Sequence, residues 1–376
     1  MKTSASASIE RKSGQSPHGR LAVGAAGFVL LTVGVFWYQF SRVGADASQP
    51  QWESLRWGHL ALLLLCLPIE TATCALRTWV TTRVLEPRVT LWTCVKAEWV
   101  NVAVSVLTPT QSWGGPGLIY VLSRGGASVG TALTIMLLSC IGTLVALLML
   151  AGYSLLVSSA EGAWSLFVTA VGSFVGIGSA MVVVAIRPGL FRAALAALSR
   201  AFWRLRGRRH ALVEWRPADD RTGPAVDRMG RLTARLVDLL YTYRADATRF
   251  LRRGKAAFAL VCLLSLPFPI ARAFIAYFCL RFLGIEASEF RGIFEAQLLL
   301  ILLEFFAPSP GGAGVMELAS SVVMATTVSA GYAPYYNLLW RSSTLYLPAV
   351  AGFVCLGWGL LQHARPAVRP AWDGSR

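Results

Sequence analysis

The chain has 376 residues, 55% of them hydrophobic and 14% charged, with a mean hydropathy of +0.56 and a formal net charge of +16. An average soluble domain carries about 25% charged residues, so this composition excludes a soluble enzyme and points to a polytopic membrane protein. The positive charge alone would suit a nucleic-acid binder, but it is gathered into one block between apolar segments, so no nucleic-acid partner is expected.

A basic tail over 1–20, with Lys2, Arg11, Lys12 and Arg20, leads into an apolar run over 21–40. The run exceeds the about 7–15 residues of a signal-peptide core, so it reads as an uncleaved helix despite the small-residue pattern Ala45-Asp46-Ala47. Further runs long enough for a hydrocarbon core of about 30 Å follow over 57–80, 128–158, 163–186, 256–282 and 337–362. Between 187 and 255 stand 17 Lys and Arg against 6 Asp and Glu, a net +11, which marks a cytoplasmic loop by the positive-inside rule. There Val226, Met229, Leu232, Leu236, Leu239, Leu240 and Tyr243 recur at helical spacing between arginines. That pattern predicts an amphipathic helix on the anionic inner leaflet.

Parity decides the ambiguous stretches. With the basic amino terminus inside, two spans leave Arg83 and Arg88 inside; counting back from the basic loop places Arg124 inside as well. The segment 91–122 then enters and leaves on one side, as a re-entrant helical hairpin with its tip at 109–117. From a cytoplasmic carboxyl-terminal tail over 363–376, the same count makes 292–331 a second hairpin entering from the other side. The tips read Pro109-Thr-Gln-Ser-Trp-Gly114-Gly115-Pro-Gly117 and Pro308-Ser-Pro310-Gly311-Gly312-Ala-Gly314. Lys96 and Glu295 each stand 13 residues before their tip proline, and Glu98 and Gln297 each 11 before it. The expected fold is therefore all-α, a polytopic membrane protein of two inverted repeats, 21–186 and 256–362, each with a re-entrant helical hairpin whose broken helices meet near the midplane. Prolines and glycines that merely kink ordinary helices are the simpler alternative.

The string from Pro308 through Gly311, Gly312 and Gly314 to Glu317 is similar to the P-x-P-G-G-x-G-x-x-E element of the lysylphosphatidylglycerol synthase transmembrane-region family. The resemblance covers most of the chain, as a stand-alone and divergent member. It implies a membrane fold that acts as a phospholipid flippase when fused to an aminoacyl-lipid synthase domain, and that also occurs alone with roles in lipid or lipid-linked glycan biology. Little chain follows the last span, so aminoacyl transfer is not expected. Family members commonly carry an acidic residue and an arginine after the first-tip glycines, where this chain has Pro116 and then Leu118-Ile119-Tyr120. They often show an acidic-arginine pair in the next span, where Ser139-Cys140 stands.

Ionisable residues inside a membrane are costly and so are functional candidates. Here they are Glu70, Arg77, Lys96, Glu98, Arg272, Glu295, Glu304, Glu317 and Arg341, with plain ion pairing as the alternative role. Arg272 follows Pro267 and Pro269 inside its run, which favours function there. Gly311, Gly312 and Gly314 suggest amides left free at a helix start for a lipid phosphate, balanced by Arg272 and Arg341. Glu304 and Glu317 would take protons or headgroup contacts; for Glu317, capping those same amides is an equal alternative. In the first half the corresponding tip residues are Pro109, Gly114, Gly115 and Gly117.

The seven cysteines and four histidines show no metal or disulfide spacing, so neither metal nor cofactor is expected. No phosphate loop is present. Gly126-Ala-Ser128-Val-Gly130 matches G-x-S-x-G without a partner histidine and reads as chance. Gly172 and Gly176 suggest close helix packing. Two functions follow as expectations: a translocase for an anionic phospholipid or lipid-linked intermediate in the inner (plasma) membrane, with both termini cytoplasmic, or a non-transporting accessory partner of lipid- or glycan-synthesis enzymes. A membrane-embedded enzyme is the weakest reading, since no nucleophile and base pair is recognisable.

Overall fold

The computed structural model describes residues 17–43, 50–108, 114–157, 161–186, 228–286 and 289–364. Pro109, at the start of the first tip, and Val226 lie outside these residues, as does the loop over 187–227. Among the described residues the fold is all-helical, with no β-strand. The elements are α1 (Pro17–Ser41), α2 (Trp57–Leu85), α3 (Leu91–Leu107), α4 (Gly115–Arg124), α5 (Val129–Val157), α6 (Glu161–Ile186) and α7 (Arg228–Arg253) in the first part of the chain. There follow α8 (Lys255–Ser265), α9 (Pro267–Phe282), α10 (Phe290–Glu304), α11 (Val315–Val323), α12 (Ala333–Arg341) and α13 (Leu347–Ala364). A π turn over Ser342–Tyr346 joins the last two.

Local chemistry explains the boundaries. Helix α2 stops at Leu85, because Pro87 draws the residue before it out of helical geometry. Thr90 caps α3, its hydroxyl accepting from the Thr93 amide at 3.2 Å, and Ser128 caps α5 through the Thr131 amide at 3.1 Å. Ser128, the serine of the G-x-S-x-G match, is thus spent on a helix start. Pro116 and Pro267 stand in the first turns of α4 and α9, where a missing N–H costs nothing. The run expected over 256–282 is accordingly two helices, broken at Leu266 by Pro267 and Pro269.

By length and composition, three stretches among the described residues can cross a membrane: Trp57–Leu85, Val129–Val157 and Lys255–Phe282; Ala26–Ser41 and Ala163–Ser179 are shorter apolar helices. Leu30, Trp37, Leu156 and Trp358 are exposed, as hydrocarbon-facing side chains are. Helices α3 and α4 pack on each other as a helical hairpin, α2 lies along α9, and α3 lies along α13, so the two halves interlock. Helix α7 places Tyr243, Ala247 and Phe250 at helical spacing in the protein interior, and Asp246 accepts from the Thr131 hydroxyl of α5 at 2.8 Å. Part of its apolar face therefore covers protein, while Arg244, Arg249, Arg252 and Arg253 face outward. Gly172 and Gly176 have nothing within 4 Å of where a side chain would begin. The close packing expected of them is not made among the described residues, because that face of α6 points outward.

The α3–α13 seam depends on Gly352, where an added methyl would collide with the Trp99 carbonyl oxygen of α3. Backbone at the contact cannot give way as a flexible side chain can. Gly352→Ala should destabilise the fold by about 1–3 kcal/mol, seen as a lower thermal midpoint of the detergent-purified protein, with α3 and α13 pushed apart. An unchanged midpoint would show that the seam is looser than this geometry.

Candidate functional site

Between the two halves lies a cavity of about 530 Å³, within the range of about 300–1,000 Å³ of small-ligand pockets. Its walls come from α2, α3, α4, α5, α6, α9, α10, the π turn and α13. Most of the lining is apolar, yet five ionisable side chains that would each be costly in a membrane reach it: Glu70, Arg77, Glu98, Arg272 and Glu304.

Arg272 is the centre of this charge. Its Nε donates to Glu70 at 2.8 Å and its Nη1 to Glu304 at 3.2 Å, joining α2, α9 and α10. A third donor, Nη2, points at the Thr344 carbonyl at 3.5 Å, which the π turn presents. The guanidinium also stands over the Phe268 ring at 5.2 Å. Since Phe268 lies between Pro267 and Pro269, the broken helix places both the aromatic face and the arginine in the cavity.

The second tip is a different object. Glu317 and Arg341 are both 0% exposed and pair at 2.8 Å. The other Glu317 oxygen accepts from the Gly314 amide at 2.6 Å, capping α11, while Arg341 Nη2 donates to the Gly311 carbonyl. Gly311, Gly312 and Gly314 have φ of +58°, +68° and +84°, a backbone that only glycine adopts cheaply, set between Pro308, Pro310 and the start of α11. Their amides are taken: Gly311 donates to the Ser105 and Thr108 carbonyls at the end of α3, Gly312 to Ser309 and Gly314 to Glu317. The free phosphate-binding amides expected here are therefore absent, because backbone and Glu317 oxygens already satisfy them. Asn337 Nδ2 and Gln39 Nε2 both reach the Glu317 carbonyl, at 3.2 and 3.4 Å, and so bind α12 and α1 to the tip.

The structure thus divides the expected site. Arg272 and Glu304 share the cavity, whereas Gly311, Gly312, Glu317 and Arg341 form a buried joint outside its lining, flanked by half-buried Pro310 and Gly314 and by exposed Pro308. In the first half, Gly115 lines the cavity, while Gly114 and Gly117 let α4 close on α3; a methyl on Gly117 would stand 2.8 Å from the Val100 carbonyl. Glu295 is held by Arg291 at 3.3 Å and by the Ser154 hydroxyl at 2.6 Å, a pairing role. Glu70 was one of several charged candidates in the sequence without a partner. Its place is legible afterwards from Glu70, Cys74 and Arg77, spaced i, i+4, i+7 on one face of an apolar helix. The hydroxyls of Ser139 and Thr143 that also line the cavity gave no signal of their own.

Fold and cavity together define a multi-pass α-helical membrane protein with a charged chamber where its two halves meet. The profile of the lysylphosphatidylglycerol synthase TM region family matches residues 23–352, and the chain belongs to that family. Membership carries a membrane lipid-related function. No curated protein matches the sequence.

The buried pair changes what Glu317→Gln should do. A cap alone would lose on the order of 1 kcal/mol, but removing the carboxylate also leaves Arg341 buried without a counter-charge, which costs about 3–5 kcal/mol. Thermal unfolding in detergent should therefore show Glu317→Gln strongly destabilised, and the double variant Glu317→Gln/Arg341→Met less so. Equal loss in both would mean that the pair contributes nothing beyond the cap.

Proposed function

We propose that the protein is a lipid translocase in the inner (plasma) membrane, moving an anionic phospholipid or a lipid-linked intermediate by placing its headgroup in the cavity between the halves. The observation that carries this reading is the cluster of five ionisable side chains around one chamber in a chain otherwise built for hydrocarbon. Two carboxylates on one guanidinium leave the Glu70–Arg272–Glu304 group with one negative charge when all are ionised. A proton gained by Glu70 neutralises it, so the group can exchange a proton as the headgroup enters and leaves. The protein would move its substrate without chemical conversion, and aminoacyl transfer is not part of this reading.

The architecture supporting alternating access is a pair of inverted repeats with re-entrant hairpins. The matched spacing of the two tips, the packing of α2 along α9 and the hydrogen bonds from Gly311 to the end of α3 all favour it. In a chain without native cysteines, thiols placed at Arg88 and Ser123 should both react with a membrane-impermeant reagent from the cytoplasmic side. Labelling from opposite sides would make 91–122 a crossing segment.

A second reading is favoured by the outward basic face of α7, which offers a docking surface for a lipid- or glycan-synthesis enzyme. Reconstitution separates the two. Proteoliposomes of the wild-type chain should expose fluorescent anionic lipid from the inner leaflet to a membrane-impermeant quencher faster than protein-free liposomes. Glu304→Gln should slow that movement at least tenfold while remaining monodisperse. No movement of any labelled lipid by the wild type would leave the accessory role.

A further inference from the structure

The cavity holds two arginines in opposite electrostatic states. Arg272 is bracketed by two carboxylates. Arg77 is 8% exposed and lines the same cavity, yet among the described residues no carboxylate lies within salt-bridge distance of it. Its Nη1 donates to the Thr143 hydroxyl, while its Nε is buried with no acceptor. Across from α2, on α5, the Ser139 hydroxyl is 4% exposed, lines the same cavity and is also without a partner. Two buried donors, one of them charged, are thus left unsatisfied by the protein on residues that line one chamber. Such groups are costly to leave unmade, and a side-chain rotation would turn them toward a ligand's acceptors there.

We propose that Arg77 and Ser139 form the phosphate-binding site of this protein, and that its ligand is a lipid bearing a singly charged phosphodiester. A guanidinium presents five N–H donors in a planar fork that suits phosphate oxygens, and a serine hydroxyl adds one more. The restriction to one charge follows from the rest of the chamber. Arg77 and Arg272 face Glu70, Glu98 and Glu304, of which Glu98 already accepts from the Thr78 hydroxyl at 2.6 Å. Arg272 is already held between Glu70 and Glu304, so Arg77 alone is left to meet the ligand, and one guanidinium offsets one anionic charge. Arg272 is the structural group, held by its two carboxylates, and Arg77 takes the ligand.

The assignment rests on the translocase reading for its choice of a lipid, and binding is measured separately from movement so that either can fail alone. The purified full-length chain in detergent is titrated with dihexanoyl-phosphatidylglycerol, dihexanoyl-phosphatidic acid, dihexanoylglycerol and inorganic phosphate. The phosphodiester lipid should bind tightest, with dihexanoylglycerol and inorganic phosphate each at least tenfold weaker. Arg77→Gln should lower phosphatidylglycerol affinity at least tenfold and Ser139→Ala several-fold, without changing dihexanoylglycerol binding. Wild-type affinity in Arg77→Gln, or equal binding of dihexanoylglycerol, would overturn the site; equal binding of inorganic phosphate would overturn the lipid.

Should Arg77→Gln fail to fold, the wild-type chain decides by crosslinking with a phosphatidylglycerol carrying a photoreactive headgroup. Adducts on the α2 and α5 stretches around Cys74 and Cys140 support the site, and adducts confined to 305–317 overturn it. Binding at Arg77 with no leaflet movement would refute transport and leave the site standing.

Discussion

The contact on which the arrangement turns is Arg272 between Glu70 and Glu304. These three charges come from α2, α9 and α10, so satisfying one guanidinium brings the first half of the chain against both arms of the second. In hydrocarbon none of the three could stand alone, because an isolated buried charge costs several kcal/mol. Each carboxylate is tolerable because Arg272 meets it, and Arg272 because a carboxylate meets it. The break at Pro267 and Pro269 belongs to the same constraint, since it releases the helix just ahead of Arg272, and the π turn over 342–346 turns the Thr344 carbonyl toward the remaining donor. A chamber bordered by such a group is both rigid in position and open to change in charge, the combination a site for polar cargo within a bilayer needs.

The second tip solves another problem. Its three left-handed glycines make a turn that no other residue would adopt cheaply, and its backbone polar groups cannot meet water at membrane depth. Glu317, Arg341, Asn337, Gln39 and the last turn of α3 satisfy them from four directions. A motif that suggests a binding loop is here a joint, holding α11 to α12 and the second half to α1 and α3. The division of labour is physical: the tip glycine amides and the Glu317 carboxylate already have protein partners, and the tip lies outside the cavity lining, even though Arg341 Nη1 and the Ser309 hydroxyl are buried without a partner. Arg77 and Ser139 differ in that their unpartnered groups belong to residues lining the cavity.

Much of this was legible in the residues. Apolar runs with few charges gave the helices, Pro267 and Pro269 marked a loosened helix that the structure breaks outright, and the caps at Thr90 and Ser128 mark helix starts that periodicity alone leaves loose. Arg272 and Glu304 were legible as candidates because ionisable groups deep in apolar runs are costly, and both line the cavity. What remained hidden was pairing over long separations. Nothing local ties Glu70 to Arg272, 202 positions on, or Gly311 to the end of α3, and nothing local shows that Arg341 is spent on Glu317. Without those partners the tip glycines and the cavity arginine read as one site, and Arg77 as an ordinary helix-to-helix pair. The outward face of Gly172 and Gly176 is the same lesson: spacing shows a small-residue face but not what meets it.

The central claim is that the chamber is the working site and the tip its support. Electron cryomicroscopy of the protein in nanodiscs rich in phosphatidylglycerol tests it most directly. Headgroup density should lie between α2 and α5, within hydrogen-bonding distance of Arg77, with Glu317 still on Arg341 and Arg272 still between its two carboxylates. A headgroup seated instead at Gly311–Gly314, with Arg341 turned away from Glu317 to meet it, would contradict the account.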